Sequence, residues 1–134
     1  MSYETIKVTR NGPVETVALN RPEVLNAMSP KMLDELLSYF QSLENQAMER
    51  KRSPNQPRVI LLKGAGEKGF CAGLDITASD GGLSEFGKAN YVDQAYRAQR
   101  RISEIVLRMR RCPQPIIALL HVSNYSRHFG IYLI

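Results

Sequence analysis

A run of small residues, Gly64-Ala65-Gly66-Glu67-Lys68-Gly69-Phe70-Cys71-Ala72-Gly73-Leu74-Asp75-Ile76, follows the apolar stretch Val59-Ile60-Leu61-Leu62. Two chemistries suit glycines at this density. Gly64, Gly66 and Gly69 satisfy the spacing of a dinucleotide fingerprint. That fingerprint needs a helix opening at the loop, and Phe70-Cys71-Ala72-Gly73 does not read as a helix start. The other chemistry uses the main chain itself. Small residues let amides approach a ligand closely. A loop at the carboxyl end of a parallel strand is where open α/β sheets bind ligands. Amides fixed there stabilise negative charge on a carbonyl oxygen. The reading without function is a plain tight turn with Phe70 packed beneath it.

Other reactive side chains are sparse. Cys71 could act as a nucleophile with His121 or His128 as its base. Nothing in the sequence places either histidine near it, and a small loop filler is the plainer reading. Cys71 and Cys112 show neither metal-ligand spacing nor a disulfide framework, so two free thiols in an intracellular reducing compartment are expected. Tyr91 and Tyr96 among arginines could stack on nucleic acid and neutralise it. The net charge of +5 comes largely from short basic runs at 49–52, 97–101 and 108–111. Each reads more simply as a solvated helix or loop face, so no nucleic-acid partner is expected.

The elements that position the glycine-rich loop follow from periodicity. Ile6 and Val8 alternate with Thr5, Lys7 and Thr9, as in a half-buried strand. Asn11-Gly12 signals a tight turn in which both residues tolerate positive φ, and Val14–Leu19 reads as the return strand. Asn20-Arg21-Pro22 breaks that strand. Ser29 is a candidate N-cap with Pro30 at the first helical position, and Leu33, Leu36, Leu37, Phe40 and Leu43 share one face. Asp34 and Glu35 lie near its positive end. Glu49–Pro57 reads as a long charged loop. Val59–Leu62 and Ile116–Val122 are continuous apolar runs, the mark of parallel strands buried on both faces. Between them, 77–88 reads as irregular. Tyr91–Arg111 reads as a helix with Val92, Ala95, Gln99, Ile102, Ile105, Val106 and Met109 on its inner face and arginines opposite. Strands alternating with helices predict an α/β sheet with crossover connections.

The chain of 134 residues suits one domain. No segment approaches the roughly 18 consecutive apolar residues of a membrane span. Neither a secretory signal nor a transit peptide is legible at Met1–Thr5, and Ile131-Tyr132-Leu133-Ile134 is not a peroxisomal tripeptide. Cytoplasm, mitochondrion and peroxisome all stay open.

Four motifs in order carry a resemblance. Leu19-Asn20-Arg21-Pro22 with Leu25-Asn26-Ala27-Met28, then Val59-Ile60-Leu61-Leu62-Lys63-Gly64, then Phe70-Cys71-Ala72-Gly73-Leu74-Asp75-Ile76, then Cys112-Pro113-Gln114-Pro115-Ile116-Ile117-Ala118 resemble the crotonase (enoyl-CoA hydratase/isomerase) family. The match covers about residues 3 to 121. Ser2-Tyr3-Glu4 and Ile76-Thr77-Ala78-Ser79-Asp80 tilt toward its dienoyl-CoA isomerase branch. The resemblance implies an incomplete crotonase-type spiral of β-β-α units over 1–121, with 122–134 a divergent tail.

It also implies chemistry: hydration or double-bond isomerisation of enoyl-CoA thioesters through an oxyanion hole. The coenzyme A thioester is the substrate, with no cofactor or metal. The backbone amide of Leu74 would be one of two oxyanion donors. Ala27 and Ala72, Gly73, Leu74, Asp75 and Ile76 would line the coenzyme A groove. Asp75 is better suited to anchoring the loop than to moving protons. Where many relatives have a basic residue this chain has Val24, so a phosphate contact is not expected there. Relatives take the second oxyanion donor from a glycine-rich loop after the strand ending near His121, where this sequence has Val122-Ser123-Asn124. Their catalytic carboxylates lie further on. The expectation is thus an acyl-CoA-binding fragment impaired in turnover. A non-catalytic subunit of the trimers such proteins form, or an unstable truncated product, are the alternatives.

Overall fold

The computed structural model describes residues 2–48, 56–75 and 91–121. Among these residues four strands and two α-helices follow in the order β1 (Ile6–Asn11), β2 (Val14–Leu19), α1 (Pro30–Met48), β3 (Val59–Gly64), α2 (Tyr91–Arg111) and β4 (Ile116–Leu119), with a 3-10 turn at Pro22–Val24. These strands form one sheet in the order β1-β2-β3-β4. β1 and β2 are antiparallel, whereas β2 with β3 and β3 with β4 are parallel. The fold is mixed α/β, as the alternation of strand and helix patterns predicts.

The hairpin turns more tightly than its sequence suggests. Asn11 stays in the ladder opposite Val14, so the connection is Gly12-Pro13 and Gly12 alone takes a positive φ, +56°. Two residues between twisted strands favour a glycine at the first turn position.

Register sets the two faces of the sheet. Ile6 pairs with Leu19, Val17 with Leu62, and Leu62 with Ala118, so these side chains point to one side. On that side lie Met32, Leu33, Leu36, Tyr39, Phe40 and Leu43 of α1 and Ile105 and Met109 of α2, forming one core with Ile6, Val17, Leu19, Ile60 and Leu62. Both helices therefore cover the same face. α1 starts as expected: Ser29 Oγ accepts the Met32 N–H at 3.2 Å. The helical seam read as Leu33 to Leu43 is wider than anticipated, because Met32 and Tyr39 join it.

Three expectations need correction. Among the described residues, β3 and β4 are not covered on both faces. Leu61 is only half-buried, Lys63 is exposed, and Ile117 and Leu119 are 49% and 45% exposed on the side opposite the helices. β4 is also shorter than the apolar run, ending at Leu119. In α2, Ile102, Ile105 and Met109 face the core, but Val92 is 80% and Val106 38% exposed. Helical spacing marks a stripe along all 21 residues, but only part of α2 meets α1. The expected irregular stretch 77–88, the tail 122–134 and most of the charged 49–57 loop lie outside the described residues.

Candidate functional site

Gly64 ends β3, and the loop it opens folds back across it. A Cβ there would stand 2.4 Å from Phe70 O, 2.7 Å from Gly69 O and 2.8 Å from Asn26 Nδ2. Only glycine leaves room for this crossing. Asn26 locks the arrangement. Its Nδ2 donates to Ala65 O at 2.9 Å and Gly69 O at 3.0 Å, while its Oδ1 accepts the Arg21 N–H at 3.0 Å. The side chain is 1% exposed, and each of its polar groups is used. Leu25 and Asn26 both sit in the left-handed region, at φ 54° and 56°. Asparagine tolerates this, but leucine pays about 1 kcal/mol for it. The hydrogen bonds around Asn26 hold the segment there against that strain.

A second tie runs between the Arg21–Met28 segment and the far end of the loop. Arg21 Nη1 lies 2.7 Å from Asp75 Oδ2 and donates to Ala27 O at 2.8 Å. The Asp75 side chain is 5% exposed. Main-chain bonds complete the join. Ala72 N donates to Leu25 O at 3.0 Å, Met28 N to Gly73 O at 2.8 Å, and Asp75 N to Met28 O at 3.0 Å. Met28 and Leu74 thus form one rung of a parallel bridge.

That rung decides where the Leu74 amide points. In a parallel bridge Met28 bonds the residues on either side of Leu74, and the N–H and C=O of Leu74 face the opposite way. The Gly73–Leu74 peptide is trans, so its N–H runs antiparallel to the Gly73 carbonyl already engaged by Met28. Among the described residues the Leu74 N–H has no acceptor. It belongs to no helix. A fixed amide without a partner at the carboxyl end of β3 can donate to an oxygen on a ligand.

The other sequence-predicted residues fall as follows. Ala72 is exposed, Gly73 takes a φ of +96°, and Ala27 is buried with its carbonyl engaged by Arg21. Ile76 and His128 lie outside the described residues. Cys71 Sγ bonds to Gly73 and not to a histidine. Burial pushes its thiol pKa up, partly offset by the Gly73 hydrogen bond, which is the wrong direction for a nucleophile. His121 lies just past β4, its Nε2 buried without a partner among the described residues. Sequence reasoning missed the roles of Arg21, Asn26 and Met28. Arg21 was legible only as part of a strand break and a motif, and Asn26 only as part of a motif.

Three of the six arginines of α2 are ion-paired among the described residues: Arg97 with Asp93, Arg101 with Asp34, and Arg108 with Glu44 and Glu104. An open groove of about 750 Å³ lies between β1 and α1, lined by Arg10, Glu15, Tyr39 and Gln46 among others. It contains none of the predicted site residues and lies apart from the Leu74 amide. Among the described residues no group of three or more His, Cys, Asp or Glu could hold a metal. No described helix is long and apolar enough to cross a membrane.

Comparison with known proteins points one way. A sequence profile for enoyl-CoA hydratase/isomerase matches residues 14–121. The chain is similar to a mitochondrial 3-hydroxyisobutyryl-CoA hydrolase of Gallus gallus, 30% identical over 125 residues, covering 89% of this chain and 28% of that protein. It is similar in structure to an enoyl-CoA hydratase of Bacillus anthracis, with a TM-score of 0.70 and 28% identity, covering 89% of this chain and 40% of that one. An enoyl-CoA hydratase/carnithine racemase of Magnetospirillum magneticum gives a TM-score of 0.66 at 31% identity, with coverages of 90% and 40%. The chain therefore spans well under half the length of these relatives.

Proposed function

The chain belongs to the enoyl-CoA hydratase/isomerase family, and from that membership we propose that it binds acyl-coenzyme A thioesters, with the Leu74 N–H donating to the thioester oxygen. The Leu74 amide, without an acceptor among the described residues and aimed by the Met28–Gly73 hydrogen bond, is the observation that carries this reading. Protons next to a thioester carbonyl are only weakly acidic. A donor placed where negative charge gathers on that oxygen lowers the barrier to removing one, and a single such donor is worth about 3 to 4 kcal/mol. Ala72, two residues before Leu74, is exposed.

The reaction class is hydration or double-bond isomerisation of an enoyl-CoA, with dienoyl-CoA isomerisation the narrower reading. Hydrolysis is second, favoured by similarity to a protein named as a 3-hydroxyisobutyryl-CoA hydrolase. All three require the same polarised carbonyl. Proton transfer needs a carboxylate at the reacting carbon. Asp75 follows Leu74 directly but is held by Arg21, so it serves as the loop's anchor. These residues bind and polarise, and little or no turnover is expected of them alone. A non-catalytic binding subunit has the same signature.

Titration calorimetry of the chain with 2-butenoyl-CoA and with free coenzyme A tests the reading. Heat of binding for the thioester, tighter than for the free thiol, is expected. Equal affinity for both, or none, sinks it.

A further inference from the structure

Cys71 reads neither as a nucleophile nor as simple filler. Its Sγ accepts the Gly73 N–H at 3.4 Å and lies 3.9 Å from Gly73 O, the direction in which its S–H can point. Gly73 has a φ of +96°, and a Cβ there would meet nothing within 4 Å. Conformation, not space, demands the glycine. The same freedom lets this residue swing about φ unless something holds it.

Two bonds restrain it from opposite ends. On the carbonyl side, Met28 N–H fixes Gly73 O at 2.8 Å. On the amide side stands Cys71. We propose that Cys71 is a positioning residue for the Leu74 amide, its neutral thiol clamping Gly73 so that the next peptide presents its N–H at a constant angle. This rests on the reading that Leu74 N–H meets the thioester oxygen. A neutral thiol suits the task because it accepts and donates at once, which a thiolate cannot do. A serine hydroxyl does both, as in side-chain turns two residues long.

Two substitutions separate clamping from packing. Cys71→Val keeps the apolar bulk and loses the acceptor. Cys71→Ser keeps the acceptor and loses the bulk. The probe is 2-butenoyl-CoA carrying ¹³C at the carbonyl, read by difference infrared spectroscopy with calorimetry alongside. On binding to the unaltered chain the carbonyl band is expected to move to lower wavenumber. Cys71→Ser should keep the displacement. Cys71→Val should lose most of it, with affinity falling about threefold to tenfold, the equivalent of one net hydrogen bond. Cys71→Ala serves as the second acceptor-free variant should Cys71→Val not melt cooperatively. The reverse order, valine like the parent and serine deficient, overturns the proposal in favour of packing. An undiminished displacement in every variant also overturns it. Binding to the unaltered chain with no displacement at all overturns the Leu74 reading itself, a distinguishable result.

Discussion

One guanidinium nitrogen of Arg21 sits 2.7 Å from Asp75 Oδ2, and this pair joins the segment leaving β2 to the residue after the Leu74 amide. The sequence separation is wide, 54 positions. The same nitrogen donates to Ala27 O. The pair is therefore a brace across the two strands of chain that meet at the Met28–Leu74 rung.

Arg21→Ala takes the cation from an almost buried carboxylate and the donor from Ala27 O. Removing one partner of a buried pair typically costs about 3 to 5 kcal/mol. Because the Arg21 side chain is 21% exposed, the lower end is expected here. Chemical denaturation should show a loss of about 3 kcal/mol, with weaker acyl-CoA binding. Unchanged stability would mean the brace is dispensable.

Gly64→Ala tests the crossing of the loop over β3. Its Cβ would fall within 3 Å of two backbone oxygens and of Asn26 Nδ2, which two hydrogen bonds hold in place. The loop must move, at about 1 to 3 kcal/mol for an overpacked site. A lower melting temperature together with lower thioester affinity is expected. Loss of stability with affinity intact would separate the loop's position from the proposed site.

Asn26→Asp is nearly isosteric but reverses one function. Oδ1 still accepts from Arg21, while the group that donated to Ala65 O and Gly69 O becomes a second acceptor. A carboxylate facing two carbonyls at a 1% exposed position is strongly unfavourable. The variant should be less stable than the parent at pH 7 by about 3 kcal/mol or more. Protonation restores one donor, so the deficit should shrink in acid. Melting curves at pH 7 and pH 4 check both parts.

These residues mark the boundary of what the sequence makes legible. Strand and helix periods, the Ser29 cap and the placement of the glycine-rich loop after β3 are local properties, readable along the chain. The ties that aim the Leu74 amide are not. Arg21 meets Asp75, and Asn26 meets Gly69, only because β2 and β3 lie parallel and adjacent. Likewise, an apolar run does not report which face a helix covers. Ile116–Leu119 looks uniformly buried by composition, yet Ile117 and Leu119 stand on the open side of the sheet.

That open side makes a prediction of its own. Ile117 pairs with Leu61, and Leu119 with Lys63, so the apolar patch lies toward the β4 edge. Exposed apolar surface on an edge strand promotes self-association. The double variant Ile117→Lys, Leu119→Lys should lower aggregation in light scattering while changing stability by less than about 1 kcal/mol. Large destabilisation would show that these side chains are buried in solution.

Glu35 supplies a pH test independent of the site. Its carboxylate accepts the amides of Glu4, Thr5 and Ile6 and the Thr5 hydroxyl, at 2.6 to 3.1 Å. Burial pushes its pKa up, but the Thr5 hydroxyl and the three amides outweigh that and hold it below the ordinary 4.5. A depressed folded pKa means the charged form favours the folded state. The stabilisation is present above the unfolded value and is lost as pH falls through the folded one. Glu35→Gln should therefore cost about 1 to 2 kcal/mol at pH 7. Its difference from the parent should stay constant down to about pH 5 and close below about pH 4. Comparing the two chains cancels the nearby Lys31–Glu4 pair, which both contain. A difference that persists unchanged to pH 3 would show that the docking of β1 on α1 owes nothing to that charge.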